Sequence, residues 1–406
     1  MDITRKDLLK SMACFTLAGG FLARVSETMA EAQEKTGVPV RAARIRDIEV
    51  LPYSIKTKVI VKTAFGAGAP ASEGFFVRVR TEDGVVGHGE GSPFTPITAE
   101  TQQSAVVMAK ALGETLRGRD PFTVAHIVSD MDAFAPDNPS SKAALEMAVW
   151  DICGKLAGQP VCCLLGRFRD TFETDKTIFL EPPETMAQAA LEVVRDGFKV
   201  IKVKVGQGAD VDTARLRAIR EAVGPNVRIR IDANQGWTPA EAVKCLRQID
   251  KYQVEFAEQP IVRWDWAGMK FVRDNAPMPI MADESVNVEH DAIEGVRRDA
   301  IDMINIKLMK AGGILHSVRI AHVAEAANLR CMVGCMEETR VGLTAAAHLV
   351  CSQKSILYAD LDAALFLAEE PVLGGMNVKD GMVVMPHSPG LGLDLDPAYL
   401  SRLRAA

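Results

Sequence analysis

Residues 200–234 read VIKVKVGQGADVDTARLRAIREAVGPNVRIRIDAN. A β-branched run closes on Lys202 and Lys204. A glycine turn follows, then an amphipathic stretch, a Gly224-Pro225 break, and a second β-branched run closing on Asp232. This strand–helix–strand unit repeats along the second half of the chain. From Lys204 the steps are 28 residues to Asp232, 26 to Glu258, 25 to Asp283 and 24 to Lys307, then 28 to Cys335 and 25 to Asp360. Parallel strands joined by helices of this length close into a barrel, and the strand ends converge at one mouth, where such barrels carry chemistry. The predicted fold class is therefore α/β, a (β/α)7β TIM-like barrel over residues 172–365. Strands are expected near 175–180, 199–205, 227–233, 253–258, 279–283, 302–307, 330–335 and 355–360.

Upstream, IRDIEVLPYSI from Ile45 and GFFVRVRTEDGVVGHGEG from Gly74 read as a strand and a hairpin turning at Glu82-Asp83-Gly84. Helical patterns follow at 98–117, 121–133 and 140–157, giving an α+β unit over 44–165. Residues 366–406 read as an irregular segment that returns toward that unit. Residues 1–32 resemble a twin-arginine export signal: a basic Thr4–Lys10 segment with Lys6 in place of the second arginine, a short apolar run from Ser11 to Leu22, and small residues at Ala30-Glu31-Ala32. Export to the periplasm is the expectation from that segment, and a cytoplasmic site the alternative.

With 406 residues, 48% hydrophobic and 25% charged, the chain has material for two globular units. A net charge of −6 gives no electrostatic case for nucleic acid, and no apolar run reaches the roughly 18 residues of a transmembrane helix. Eight cysteines sit mostly in apolar contexts without framework spacing, as buried thiols do.

Positions i and i+2 of a strand share a face, so Lys202 and Lys204 point together. Their mutual repulsion, and that of a nearby cation, is expected to lower a lysine pKa toward the range of a general base. Asp232, Glu258 and Asp283 end three consecutive strands. Three hard oxygen ligands suit Mg²⁺, and without a cation they would repel each other severely. Glu284 and Asn234 are expected to support the ligands. Lys204 and Lys307 come from the second and sixth strands, across the barrel, and would flank a substrate on opposite faces: one removes an α-proton and the other returns it. Metal coordination of a carboxylate would stabilise the enediolate formed in between. Asp360 and Asp362 share a face and call for a cation, which a substrate ammonium group would supply. None of the seven histidines stands at a strand end in the barrel region, which argues against a histidine base.

Together, I-K-V-K (201–204), R-I-D-A-N (230–234), A-E-Q-P (257–260), A-D-E-S (282–285) and I-N-I-K (304–307) resemble the enolase superfamily, in its muconate lactonizing enzyme subgroup. The resemblance spans about residues 44–390. The D-L-D at 360–362 and the G-C-M-E-E-T at 334–339 are similar to the dipeptide epimerases. The resemblance implies that Lys204 and Lys307 form the acid/base pair and that Asp232, Glu258 and Asp283 hold Mg²⁺. It implies that Asp360 and Asp362 bind the dipeptide's amino end, and that Thr177, Lys202, Cys335 and Glu337 line the substrate. It makes the N-terminal unit a capping domain whose loop near Lys56–Ala69 closes over the site, and leads one to expect a homo-oligomer. Glu337 stands where an apolar residue is expected and favours a cationic or neutral dipeptide, whereas Lys56, Lys58 and Lys62 favour Ala-Glu. The alternatives within the superfamily are a cycloisomerase, an o-succinylbenzoate synthase-type dehydratase and an N-acylamino acid racemase. The alternative outside it is an exported peptide-binding protein without turnover.

Overall fold

The computed structural model describes residues 43–405, and the export-signal segment and Cys14 lie outside them. The chain opens with an antiparallel sheet of β1 (Ile45–Lys56), β2 (Ala71–Thr81) and β3 (Val86–Gly91), in which Val50 faces Val77 and Val77 faces Gly89. The expected turn joins β2 to β3: Gly84 has φ +87°, a value that favours glycine, and its amide donates to the Thr81 carbonyl at 3.0 Å. Three helices cover the sheet: α1 (Gln102–Leu116), α2 (Val124–Phe134) and α3 (Pro139–Ala157). The long helix α3 lies almost on the β3 backbone. A Cβ at Gly87 or Gly89 would stand 2.0 or 1.9 Å from the Ala148 or Ala144 carbonyl oxygen, so only glycine permits the approach.

Eight parallel strands follow, in unbroken sequence order across one sheet. They are β4 (Lys176–Ile178), β5 (Val200–Lys204), β6 (Arg228–Asp232), β7 (Val254–Glu258), β8 (Ile280–Ala282), β9 (Met303–Ile306), β10 (Arg330–Val333) and β11 (Ile356–Ala359). Helices α4 (Pro183–Arg195), α5 (Ala209–Val223), α6 (Pro239–Ile249), α7 (Trp266–Asn275), α8 (Glu289–Arg297), α9 (Ile314–Ala326) and α10 (Arg340–Ser352) make the seven crossovers, beside a short turn of helix at Leu308–Ala311. The result is a (β/α)7β barrel. The curled sheet brings its first and last strands together: the Asp175 amide donates to the Ala359 carbonyl at 3.4 Å, and the Leu361 amide to Thr174 Oγ1 at 2.9 Å. Phe256, Met281, Met303 and Met332 fill the barrel's interior. Arg230 lies over the Tyr358 ring at 4.9 Å and pairs with Asp175 at 2.8 Å and Glu255 at 3.0 Å, which satisfies a guanidinium buried in that apolar layer.

The two parts form one compact unit. Glu146, on α3, accepts the first amides of barrel helix α9 (Ile314, and Leu315 at 2.8 Å) and the Trp150 indole N–H at 3.1 Å. A carboxylate of the N-terminal unit thus caps a barrel helix, where orphan donors and the helix dipole favour an anion. Burial in that contact pushes the Glu146 carboxyl up to about 7. After β11 the chain returns across the sheet. Its last helix, Pro397–Ala405, sets Tyr399 against Phe76 and pairs Arg404 with Glu49 at 2.7 Å.

Candidate active site

The parallel register places the charged strand ends side by side: Lys204 faces Asp232, and Asp232 faces Glu258. Side-chain oxygens of Asp232, Glu258 and Asp283 all lie within 4.8 Å of one another, fully buried. Sheet order then dictates what flanks them. Lys204 of β5 stands on one side, 2.7 Å from Asp232 Oδ2, and Lys307, just past β9, on the other, 2.8 Å from Asp283 Oδ2. Lys202 sits between the clusters, 2.6 Å from Asp360 Oδ2, 2.9 Å from Glu258 Oε2 and 3.2 Å from Asp232 Oδ2.

At Lys202 and Lys307 the contacting carboxylates outweigh repulsion between the lysines, contrary to expectation. Burial acts to lower the Lys202 pKa, but Asp360, Glu258 and Asp232 outweigh it and raise it well above the ordinary value. At Lys307 burial is likewise outweighed by Asp283. The reason is direct contact: Lys202 Nζ and Lys307 Nζ each have a carboxylate oxygen within 2.8 Å. Asp283 is held far below its usual range because Lys307 and Lys310 overcome its burial, while burial and neighbouring Asp232 push Glu258 up to about 7.

The donor set fits a hard divalent cation. Three buried carboxylates from adjacent strands converge, and each is oriented by a second contact. Asn305 Nδ2 donates to Glu258 Oε1 at 2.7 Å, the Asn234 amide to Asp232 Oδ1 at 2.9 Å, and Lys310 Nζ to Asp283 Oδ1 at 2.6 Å. Asn234 was expected as a supporting residue, and its side-chain amide also donates to Glu284 at 3.3 Å. Asn305 and Lys310 were not expected. Asn305 shares the strand face of Lys307 two residues on, a signal present in I-N-I-K. Lys310 lies in the helical turn after the strand, and no periodicity marks it.

A second cluster closes the opposite wall. Cys335, Asp360 and Asp362 bring side-chain atoms within 4.8 Å, and the Thr177 amide donates to Asp362 Oδ2 at 2.6 Å. Burial and the Asp360 charge push the Asp362 carboxyl up to about 7, whereas at Asp360 the lysines Lys202 and Lys204 overcome burial and hold the carboxyl low. Thr177, Lys202, Lys204, Lys307, Cys335, Glu337, Asp360 and Asp362 all border one cavity, so every expected catalytic and substrate residue meets there, with the metal-ligand candidates in contact with its lining lysines.

The capping loop lines the cavity as expected, but its lysines do not. Thr57, Val61, Thr63 and Phe65 face inward. Lys58 donates to the Leu365 carbonyl at 3.0 Å, Lys62 pairs with Glu181, and Lys56 is exposed, so none of the three lysines reaches the cavity. Lys62 lies in a small antiparallel ladder of Lys62–Thr63 with Gly66–Ala67, and Lys56 alternates outward beside buried Ile55 at the end of β1.

Two family models match the chain: the mandelate racemase / muconate lactonizing enzyme N-terminal domain over residues 47–166, and the enolase C-terminal domain-like family over residues 185–399. The hydrophobic dipeptide epimerase of Enterococcus faecalis is 41% identical over 352 residues, which cover 86% of this chain and 99% of that one. The L-Ala-D/L-Glu epimerase of Bacillus subtilis is 39% identical over 84% of this chain and 93% of its own. The solved structure of a dipeptide epimerase from Enterococcus faecalis, complexed with Mg and the dipeptide L-Leu-L-Tyr, superposes with a TM-score of 0.85 at 40% identity, covering 86% of this chain and 99% of that chain.

Proposed function

Because this chain belongs to the enolase superfamily, in its mandelate racemase and muconate lactonizing enzyme branch, we propose that it is a dipeptide epimerase. The enzyme is an isomerase that inverts the α-carbon of a dipeptide's C-terminal residue with Mg²⁺ as cofactor. One observation carries the reading: an acidic pair, Asp360 and Asp362, lines the same cavity as two lysines that flank a carboxylate trio. The pair holds the α-ammonium, for which a cycloisomerase, a dehydratase or an N-acylamino acid racemase has no use. A binding protein without turnover has no use for the two flanking lysines.

Asp232, Glu258 and Asp283 would hold the Mg²⁺, which neutralises charge building on the substrate carboxylate as the α-proton leaves. Lys204 and Lys307 act on opposite faces of the α-carbon: one takes the proton and the other returns one from the far side. Lys202, kept charged by its three carboxylates, stabilises negative charge between them. Asp360 and Asp362 fix the amino end, Thr177 orients Asp362 through its amide, and Cys335 and Glu337 border the substrate. Mostly apolar walls, including Val61, Phe65 and Phe366, take the side chains and exclude water.

Export rests on residues 4–32 alone, and fractionation of cells expressing the full chain tests it. The activity is tested by incubating the protein with Mg²⁺ and L,L-dipeptides in D₂O. Loss of an α-proton signal with a one-unit gain in mass is expected. No exchange on any dipeptide, with Mg²⁺ bound, overturns the reading.

A further inference from the structure

On the capping side of the cavity Glu337 carries the one charge among the described residues; Val61, Phe65, Phe94, Phe366 and Leu367 are apolar, and Thr57 and Thr63 add hydroxyls. Glu337 lies in the turn between β10 and α10. Its main chain is pinned by Ser72 Oγ, which donates to the Glu337 carbonyl at 2.6 Å. Its carboxylate reaches the capping segment, with Oε1 3.5 Å from where a Cβ on Gly68 would stand.

No cation meets this carboxylate among the described residues. Its pKa is pushed up to about 7 by burial, with no charged neighbour acting on it. The capping-loop lysines are turned away or already engaged. The groove adjoining the cavity at Glu337 runs along Gly68–Glu73 and Ser92–Pro96. It holds a second carboxylate, Glu73, and neither lysine nor arginine. A half-buried carboxylate beside apolar walls, without a partner among the described residues, carries a desolvation cost that a ligand cation would offset.

We propose that Glu337 is a specificity residue that selects dipeptides bearing a cationic side chain on the residue facing the capping loop. The lysine or arginine head pairs with the Glu337 carboxylate, and the apolar roof takes its aliphatic stem. This inference rests on the epimerase reading and narrows its substrate class.

The test uses α-deuteration in D₂O with Mg²⁺, on dipeptides carrying lysine or arginine at either position and on matched dipeptides with norleucine in its place. The wild-type enzyme is expected to favour the cationic member by at least about tenfold in kcat/KM, mainly through KM, the size of one charge-assisted pair in a partly buried site. Glu337→Gln should bring that ratio toward one, and Glu337→Lys should shift preference toward glutamate-bearing dipeptides. Either shift in a folded variant supports the assignment. Exchange on norleucine dipeptides with no cationic preference, or a preference that survives Glu337→Gln, overturns this inference alone. Absence of exchange on every dipeptide overturns the epimerase reading, and the inference with it.

Discussion

Glu90, on the last strand of the capping sheet, is bound in bidentate fashion by Thr339 at the start of barrel helix α10. The Thr339 amide donates to Oε1 and its hydroxyl to Oε2, both at 2.8 Å, while the Gly342 amide adds a bond of 2.7 Å to Oε2. Tyr53 donates to the same carboxylate from β1. One buried side chain of the capping sheet thus completes the N-terminus of a barrel helix and anchors the turn that carries Cys335 and Glu337. With the Glu146 cap on α9, it is the second such link between the two parts of the chain.

Glu90→Ala strands these donors in a buried site. Losses of about 1–3 kcal/mol for each unsatisfied buried group, partly recovered by water, predict a destabilisation of roughly 2–4 kcal/mol. Glu90→Gln, which keeps an acceptor, should cost less. Urea denaturation of the two variants checks the order, and equal losses would mean that the bonds contribute little.

Removal of Mg²⁺ with a chelator should abolish dipeptide exchange, and added Mg²⁺ should restore it. Asp283→Asn removes one of three converging charges and is expected to weaken Mg²⁺ binding by at least about tenfold, the scale of a lost metal contact. Calorimetric titration of Mg²⁺ into wild type and variant reads this directly. Undiminished Mg²⁺ affinity in the variant would place the metal elsewhere.

Lys204→Met and Lys307→Met should each lower epimerisation by about 10²–10⁴, the range of a lost general acid or base. Their residual exchange should differ in hand. Each variant would wash deuterium into only the diastereomer whose α-proton faces the remaining lysine. If either single variant exchanges both diastereomers at similar rates, the two-sided arrangement is wrong.

Asp362→Asn keeps an acceptor for the Thr177 amide but removes a charge from the ammonium wall. The kcat/KM for dipeptides should fall by at least about tenfold, on the scale of one buried charge-assisted hydrogen bond, and more than for the matching N-acetylated compounds. Rates for both series, measured side by side, decide it. An equal fall in both would assign Asp362 to the scaffold.

His348 gives a pH dependence of stability unconnected with the chemistry. Its Nδ1 accepts the Cys162 amide at 3.2 Å, and its Nε2–H donates to the Leu391 carbonyl at 3.3 Å, inside the contact that holds the C-terminal segment. Burial depresses its pKa to about 4. The unfolded chain takes up this proton near 6.5 and the folded one only near 4, so the contribution is complete above 6.5 and is lost as pH falls through that window. The loss at pH 4 is of order 3 kcal/mol. A His348→Gln variant should show a shallower fall in stability between pH 6.5 and 4, measured by denaturant titration.

Much of the site was legible because two periodicities act together. The strand alternation that sets Lys202 and Lys204 on one face, and the βα repeat that spaces Asp232, Glu258, Asp283 and Lys307, are both written in local sequence. Each strand read from the sequence overlaps an observed one. The observed strands are shorter, for example Ile280–Ala282 within 279–283.

The sequence by itself determined which residues would stand at the strand ends, since a side chain's face follows from parity and its height from the length of the repeat. Only the tertiary structure decided how those charges pair and what surrounds them. It made the lysines partners of the carboxylates, brought Asn305 and Lys310 onto the metal-ligand candidates, turned Lys58 and Lys62 away from the cavity and left Glu337 facing it. These relations join residues tens to hundreds of positions apart. The local pattern of a chain fixes directions along each element, whereas the distances between elements are set by packing.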